Sequence, residues 1–369
     1  MKLFLTISRI IVGVLFIFSG LIKANDPLGL SYKMQEFFEV WNLHALNDFT
    51  LAFSIIMIAF EIIAGVAVLL GWKMKFFSWM LLLLIVFFTF LTGYALFSGK
   101  IKECGCFGDC IPLQAHHSFI KDLLLLLLIL PIFIYRHSIR PALSDRVNLI
   151  LLFFTAVVSF SFQWYVLLHL PVVDCLPYKK GNNILEKMKI PPGAMADSTV
   201  ITFVYEKEGK EVEFTAEEFP EDFDDATYTF VKRYDKVVRK GNAAPPIKDF
   251  SLFTLQGTDT TTALLSEDRY QLFLFMKDEI RTGDWSVVLD RIIQQAGNKN
   301  IPAFLVTNIS IDGSSTVLPG LTPLRCDAVA IKTAARANPT LYLVRQGTIA
   351  GKWSYADLIH AEAALESIP

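Results

Sequence analysis

Five apolar stretches in the first half of the chain most constrain its fold, because each is long enough to cross a membrane. At about 1.5 Å of rise per residue, about 20 apolar residues span the hydrocarbon core of a bilayer. Hydrophobic residues make up 53% of the sequence and charged residues 19%, a balance that excludes an ordinary soluble globule. The stretches, in chain order, are 3–22, 50–70, 76–97, 118–134 and 147–170. We therefore predict a transmembrane helical domain of five spans over residues 1–172.

Loop charges predict the orientation of these spans in the inner membrane. Lys73 and Lys75 follow the second span, and Arg136, Arg140 and Arg146 follow the fourth. Cytoplasmic loops carry an excess of Lys and Arg, so these loops and the N-terminus are expected in the cytoplasm. Five spans then place the C-terminal half outside, in the periplasm. The net charge of −2 and the lack of a basic patch give no support to a nucleic-acid partner.

Four of the five cysteines are expected on that oxidising, extracytoplasmic side. Cys104, Cys106 and Cys110 lie between the third and fourth spans, and Cys175 follows the fifth. Three thiols in seven residues indicate redox couples or metal ligands rather than ordinary packing. A Cys-x-Cys pair closes a small, strained ring when oxidised. Such a disulfide is better suited to thiol–disulfide exchange than to a structural role. We predict that Cys104 and Cys106 exchange disulfides and that Cys110 resolves them or pairs with Cys175.

Two other interpretations of the cysteine cluster remain open. In one, a bridge such as Cys110–Cys175 only fixes the loop, and the protein is a non-catalytic membrane assembly or partner-binding protein. In the other, the three clustered cysteines and His116 or His117 bind tetrahedral zinc. An oxidising compartment favours disulfides over thiolate-bound zinc, so no metal site is predicted.

Two charged residues fall inside the predicted spans. Glu61 lies in the middle of the second span, and Arg9 lies nearer the cytoplasmic end of the first. A charge near the bilayer centre costs about 2.5 to 3.5 kcal/mol even on the permissive insertion scale, so each needs a partner. We predict that Arg9 is the counter-charge of Glu61 in an ion pair that fixes helix register. A proton route for redox chemistry is the alternative.

Several short motifs in the first 135 residues occur in a fixed order. They are Arg9-Ile10-Ile11-Val12-Gly13, Phe18-Ser19-Gly20-Leu21-Ile22-Lys23, Asp26-Pro27, Glu61 with Gly65, Leu69-Leu70-Gly71 and Cys104-Gly105-Cys106-Phe107-Gly108. Together they resemble the DoxX/MauE-like membrane proteins. The resemblance implies a four-helix bundle associated with thiol or quinone redox chemistry and with disulfide formation in exported partners. It suggests a quinone as cofactor, although the chain adds a fifth span and lacks the Cys-x-x-Cys pair of the more distantly similar VKOR proteins.

The sequence changes to mixed polar composition after about residue 173. Strand-like runs at 199–205 and 211–215, joined by a glycine turn, predict a hairpin within a small extracytoplasmic β-containing segment and linker, 173–242. From 243 to 369 strands and helices alternate, which predicts an α/β domain. The predicted strands are 250–255, 271–276, 303–307, 340–345 and 349–353, and the predicted helices are 285–295, 332–336 and one from 355 onward.

This order of elements resembles a thioredoxin-like domain, in which Pro339 would be a cis-proline before a strand. Active members carry the nucleophilic cysteine after the first core strand, but residues 277–285 contain none. The resemblance thus implies a degenerate domain that binds a partner or acts as a scaffold. Cys326, the only thiol of 243–369, is expected to be a buried apolar filler. The whole sequence predicts a membrane thiol–disulfide oxidoreductase, with possible quinone coupling, that acts on an extracytoplasmic protein partner.

Overall fold

The computed structural model describes most of the chain. The described residues are 2–101, 105, 108–111, 113–195, 198–207, 209–215, 218–220, 223–224, 227–239, 241, 244–277, 283–309 and 318–368. The predicted exchangeable pair, Cys104 and Cys106, lies outside them.

The five predicted membrane spans are confirmed as helices of spanning length and apolar composition. They are α1 (Lys2–Asn25), α3 (Thr50–Leu70), α4 (Met74–Ser98), α5 (Ala115–Ile134) and α6 (Asp145–His169). Large apolar side chains such as Leu127, Ile150 and Phe153 are exposed on the outside of the bundle, as a lipid-facing surface requires. We call the end of the bundle where α1, α4 and α6 finish and α3 and α5 begin the domain-bearing end, because the C-terminal domain contacts it.

Small residues set the register between α1 and α3. A Cβ atom added to Gly13 would lie 2.9 Å from the carbonyl oxygen of Gly65, and one added to Gly20 would lie 2.5 Å from Cγ1 of Ile62. The two backbones therefore approach as closely as small residues permit in membrane helix pairs. Because the helices are antiparallel, each residue of α1 has one defined neighbour on α3.

The helix α2 (Pro27–Val40) was not predicted and does not span the membrane. Asp26 caps it by accepting a hydrogen bond from the backbone N–H of Gly29 at 3.0 Å, and Pro27 occupies the first turn. The Ser54 hydroxyl of α3 donates to the carbonyl oxygen of Pro27 at 2.7 Å. The helix is therefore tied to the start of α3 at the domain-bearing end.

A three-stranded antiparallel sheet follows, in the order β2-β1-β3. Its strands are β1 (Ser198–Lys207), β2 (Lys210–Thr215) and β3 (Tyr228–Arg239), so the predicted hairpin is confirmed and a third strand is added. Aromatic rings hold the sheet together: Tyr205 stacks on Phe214 at 5.3 Å and meets Phe223 edge-on at 5.1 Å.

The C-terminal domain is built on a five-stranded mixed sheet in the order β6-β5-β4-β7-β8. Strands β4, β5 and β6 are parallel, and β7 and β8 continue antiparallel. The strands are β4 (Tyr270–Met276), β5 (Ala303–Thr307), β6 (Thr322–Arg325), β7 (Thr340–Arg345) and β8 (Thr348–Ser354). The helices are α7 (Ile184–Lys187), α8 (Thr261–Leu265), α9 (Trp285–Asn298), α10 (Ala328–Ala334) and α11 (Leu358–Glu366).

Successive side chains of β4 point to opposite faces of the sheet, and each face has its own hydrophobic core. Phe273 and Phe275 pack on the face covered by α7, α8 and α10, while Leu272 and Leu274 pack on the face covered by α9 and α11. A strand buried on both faces reads as a continuous apolar run, which is why β4 could be predicted from the sequence.

One predicted strand is wrong. Residues 250–255 form no strand, and Phe253 makes only isolated bridges to Asp259 and Arg325. The chain turns back at Gly257, whose φ of +86° suits glycine, and the Thr260 N–H bonds the Leu252 carbonyl at 2.8 Å. The segment therefore closes on itself and joins the edge of the sheet only at Phe253.

The C-terminal core also includes residues that the sequence assigned to the 173–242 segment. Tyr178 and Ile184 are buried in it, and the Gly181 N–H donates to the carbonyl oxygen of Ile349 at 2.8 Å. The chain leaves this core after α7 and returns at Ile247, whose N–H bonds the Lys187 carbonyl at 3.0 Å. Along the chain, the three-stranded sheet therefore lies between two segments that pack into the same core.

Candidate functional site

A disulfide lies at the domain-bearing end of the bundle. Cys110 ends the short 3-10 turn Gly108–Cys110 before α5, and Cys175 follows α6; their Cα atoms are 4.9 Å apart and their sulfurs are bonded. The bridge ties the segment between α4 and α5 to the connection that leads into the C-terminal domain. These are the last two cysteines of the predicted set, which the sequence predicts as a possible pair.

The cysteine segment, residues 104–110, contains two described glycines, which lie close to α2 and to the end of α1. Gly105, between the two cysteines of the predicted pair, has a φ of +66°, and a Cβ atom there would lie 3.0 Å from Cγ of Lys33. A Cβ atom on Gly108 would lie 3.7 Å from Cγ2 of Ile22. Cys104 and Cys106 are outside the described residues.

Arg336, which follows α10, joins the C-terminal domain to this segment and to α2. Its side chain is 4% exposed, its Nε donates to Asp26 at 2.8 Å, and its Nη2 donates to Asp109 at 2.6 Å. The third nitrogen, Nη1, donates to the carbonyl oxygen of Lys332 at 2.6 Å. One planar guanidinium thus connects three acceptors from three parts of the chain.

The ionisation of this cluster reflects burial and mutual charge. Burial raises the pKa of Asp26, and the neighbouring carboxylate of Asp109 adds to the rise, while Arg336 opposes it. Burial alone would lower the pKa of Arg336, but the two carboxylates outweigh it and the pKa is raised. The guanidinium is therefore held in its charged form between them.

Three cationic side chains of the C-terminal domain lie over the ring of Tyr32 in α2. Lys277, Lys332 and Arg336 lie over its ring at 5.2, 5.5 and 5.4 Å from the centroid, and the Lys277 ammonium donates to its hydroxyl. Lys277 directly follows β4, and its backbone exchanges two hydrogen bonds with the Asn338 side chain, at 3.0 and 2.9 Å. The carboxyl end of β4 is therefore placed against α2.

The Asn338–Pro339 peptide bond, directly before β7, is cis. It lies beside Lys277, since Asn338 makes both hydrogen bonds just described. Lys277, Arg336 and Pro339 therefore lie on the side of the C-terminal domain that faces Asp109 and α2.

Further polar contacts fix the two halves together. Lys352 of β8 bonds Asp174 at 2.7 Å, and the Asn25 side chain exchanges hydrogen bonds of 2.8 and 3.0 Å with the backbone of Val173. Burial lowers the pKa of Lys352, and Asp174 opposes that shift. His169 at the end of α6 bonds Asp357 at 2.9 Å. The interface is polar and buried, which sets one orientation of the domain on the bundle.

The predicted ion pair of Arg9 with Glu61 is wrong. Glu61 pairs instead with Lys23, whose Nζ lies 2.6 Å from its carboxylate oxygen, with side-chain exposures of 2% and 5%. Arg9 donates to the carbonyl oxygens of Val68 and Leu69 at the other end of α3. The glycine register explains the difference, because it places Arg9 opposite the end of α3 and Lys23, about 21 Å further along α1, beside Glu61.

Among the described residues, no group of three or more His, Cys, Asp or Glu side chains has the arrangement of a metal site. The rings of His116 and His117 lie 3.9 Å apart at the start of α5. The zinc alternative also needs Cys104 and Cys106, which are outside the described part of the chain.

A polar cleft of about 800 Å³ opens beside the disulfide, between α2 and the C-terminal domain. Its walls include Tyr32, Glu36, Cys175, Lys332 and Arg336. Both signs of charge are present, so the cleft suits a polar ligand better than a purely apolar one.

Cys326 is the free cysteine of the described residues, and its predicted burial is confirmed. Burial raises the pKa of its thiol to about 12. At pH 8 its thiolate fraction is then about a thousandfold below that of a thiol with a pKa of 9. We expect iodoacetamide to leave Cys326 unmodified in the native protein at pH 8 and to alkylate it fully after denaturation, as measured by peptide mass mapping. Alkylation at comparable rates in both states would contradict its burial.

The fold and this interface define a helical membrane protein that carries a sheet-containing domain on one end of its bundle. Residues 1–135 match the family described as methylamine utilisation protein MauE, so this part of the chain is MauE-like and the MauE part of the predicted resemblance is confirmed. Residues 199–240, which are the three-stranded sheet, match a domain family of unknown function, DUF8463. No significant match was found among curated proteins or among solved structures.

Proposed function

We propose that the protein is a membrane thiol–disulfide oxidoreductase that forms disulfides in an exported partner. The observation that carries the proposal is the Cys110–Cys175 bridge, which fixes Cys110, four residues after Cys106, to the connection that leads into the C-terminal domain. Two cysteines are joined in this bridge and Cys326 is buried, so we assign exchange to Cys104 and Cys106. A local Cys-x-Cys disulfide next to a fixed structural bridge is suited to exchange.

In the proposed reaction, two thiols of the partner reduce the one disulfide of the pair. A thiolate of the partner attacks the Cys104–Cys106 disulfide, forms a mixed disulfide and releases one thiolate of the pair. The second thiolate of the partner then attacks the mixed disulfide, which leaves the partner oxidised and the pair reduced. Lys33, whose Cγ would lie 3.0 Å from a Cβ atom on Gly105, brings a cation near the proposed pair, and a nearby cation favours the thiolate.

We further propose that the C-terminal domain is thioredoxin-like and non-catalytic. The mixed strand order, the cis peptide before β7 and the helices on both faces of the sheet support that assignment. Lys277 stands at the end of β4, where an active domain would lead into its cysteine, and it bonds Tyr32 instead. The edge that performs catalysis in active members would here dock onto the membrane bundle.

The proposed function requires the domain-bearing end to face the periplasm. The positive charges of the loops at the opposite end and the presence of a disulfide at the domain-bearing end both support this orientation. We expect a periplasm-dependent reporter fused after Pro369 to be active and the same reporter fused after Lys75 to be inactive. The reverse pattern would remove the oxidising context and with it the proposed function.

The decisive experiment is replacement of the proposed exchangeable pair. Cys104→Ser or Cys106→Ser is expected to abolish disulfide formation in exported proteins while the protein still inserts and keeps the Cys110–Cys175 bridge. Differential alkylation followed by mass mapping measures both properties in native membranes. Cys326→Ser is the matched control and should change neither. If Cys104 and Cys106 stay reduced in an oxidising buffer, the catalytic proposal fails.

A second candidate function, non-catalytic assembly, is favoured by the polar cleft beside the disulfide. In that case the cleft would bind an exported protein, and all thiol chemistry would be structural. Reversing its charge with Lys332→Glu would weaken co-purification of the partner under both candidates. Only the oxidoreductase would also form a mixed disulfide with the partner. Cys106→Ala should abolish that covalent complex.

A further inference from the structure

The polar cleft of about 800 Å³ between α2 and the C-terminal domain carries unbalanced positive charge. Among the described residues, three of its lysines have no carboxylate within salt-bridge distance; they are Lys179, Lys187 and Lys332. The Lys332 ammonium makes one long hydrogen bond, of 3.4 Å, to the side-chain oxygen of Gln35. The three ammonium groups therefore retain donors for a ligand, since each carries three N–H bonds.

The acidic side chains of the cleft cancel little of this charge. Asp109 is bonded to Arg336 at 2.6 Å and Glu36 to Lys33 at 2.9 Å, so each already has a cationic partner within the cleft. Glu39, the remaining carboxylate of the lining, is exposed on α2. The wall formed by the C-terminal domain is thus positive, and a concave positive surface attracts anionic ligands.

The three lysines belong to two separate parts of the C-terminal domain. Lys179 and Lys187 lie in the segment between the disulfide and the three-stranded sheet, and Lys332 lies in α10. Backbone hydrogen bonds hold the first segment on the domain, since the Lys187 carbonyl oxygen accepts from the Ile247 N–H at 3.0 Å. Positive charges spread over two elements suit an elongated ligand with several negative charges better than a single point charge.

The same cleft also presents apolar side chains. Pro177, Pro246 and Val329 line it, and Val329 is 69% exposed. Exposed apolar groups with charged residues around them are typical of surfaces that bind proteins. A phospholipid headgroup would bring a negative charge but nothing apolar to cover these side chains, because its acyl chains stay in the bilayer. The combination therefore favours a peptide segment over a lipid headgroup.

We propose that this cleft binds an extended, acidic segment of the exported partner. The carboxylates of that segment bond Lys179, Lys187 and Lys332, and its apolar side chains cover Val329. The inference rests on the proposed function, for which it names the chemistry of the partner. Because Cys175 lines the same cleft, the bound segment lies beside the Cys110–Cys175 bridge.

The test is the binding of a synthetic peptide to the full chain in phosphatidylcholine nanodiscs. The probe is a fluorescein-labelled, cysteine-free peptide in which glutamate alternates with valine, and fluorescence anisotropy measures its binding. We expect saturable binding that weakens as the salt concentration rises, because exposed charge pairs are screened by salt. The matching peptide with lysine in place of glutamate should bind at least tenfold more weakly. Equal binding of the two peptides would overturn the proposal.

Charge-reversal variants locate the binding to the cleft. Lys179→Glu combined with Lys187→Glu should weaken binding of the acidic peptide at least tenfold and leave the thermal unfolding midpoint unchanged. Lys210→Glu combined with Lys232→Glu makes the same change of charge on exposed residues of the three-stranded sheet, outside the cleft, and should bind like the native protein. Equal losses in both double variants would show attraction to the overall charge and would overturn the site.

The outcome for this site is independent of the thiol assay, because the peptide contains no cysteine. Peptide binding that the cleft variant weakens would support the site even if Cys104 and Cys106 prove inert, in which case only the oxidoreductase fails. Disulfide formation in exported proteins without such binding would overturn the cleft assignment and leave the proposed function standing. Retention of phosphatidylglycerol that the cleft variant abolishes, without peptide binding, would assign the cleft to a lipid headgroup and also overturn the proposal.

Discussion

Replacement of Arg336 by methionine is expected to loosen the C-terminal domain from the membrane bundle. The substitution leaves Asp26 and Asp109 without the guanidinium that bonds both, and Asp26 is largely buried. Breaking a buried ion pair by removing one partner costs about 3–5 kcal/mol, because the remaining charge stays desolvated. Arg336→Lys should restore only part of this stability, since one ammonium cannot reproduce the planar, three-acceptor geometry.

Amide hydrogen exchange and thermal unfolding in detergent measure this effect. We expect faster exchange in α2 and in the residues around Cys110, together with a lower unfolding midpoint of the C-terminal domain. Arg291→Met removes an exposed pair with Glu362 on the far side of the domain and serves as the matched control, which should change neither readout. Unchanged exchange in α2 after loss of Arg336 would show that the other contacts suffice to hold the interface.

The membrane helices could be predicted closely because their signal is local. An apolar run of spanning length must satisfy its own backbone hydrogen bonds in lipid, and a helix does so. The sequence therefore places α3 at residues 50–70, as the structure does. The helix α2 gives a mixed signal, since Lys33, Glu36 and Glu39 interrupt its apolar residues. Its Asp26-Pro27 start is a helix N-terminus signal that the sequence does carry.

The residues of the interface could not be found in the same way. Arg336 lies 310 positions from Asp26 in the sequence, and only the docked fold brings the two together. Similarly, the third strand of the three-stranded sheet and β6 have little apolar pattern of their own, because neighbouring strands define them. The strongly apolar β4, β5 and β7 were predicted at nearly their observed bounds.

The choice of a counter-charge for Glu61 shows where sequence reasoning about membrane charges fails. Arg9 was the obvious candidate because it lies inside the first span, whereas Lys23 stands at the end of it. The pairing depends on the relative height of two helices, and the close approach at Gly13 and Gly20 sets that height. The depth of a charged residue in its span is thus not enough to identify its partner, because the relative height of the two helices must also be known.

Lys23→Met is expected to destabilise the bundle strongly, because it leaves the carboxylate of Glu61 buried without its partner. The expected loss is again about 3–5 kcal/mol, the range for breaking a buried ion pair from one side. The double variant with Lys23→Met and Glu61→Leu should recover most of that loss, since apolar residues of similar size often replace a whole buried pair without penalty. Arg9→Met, by contrast, should show no coupling to Glu61→Leu. A double-mutant cycle on thermal unfolding in detergent measures these couplings, and additive effects of the Lys23 and Glu61 changes would contradict the pairing.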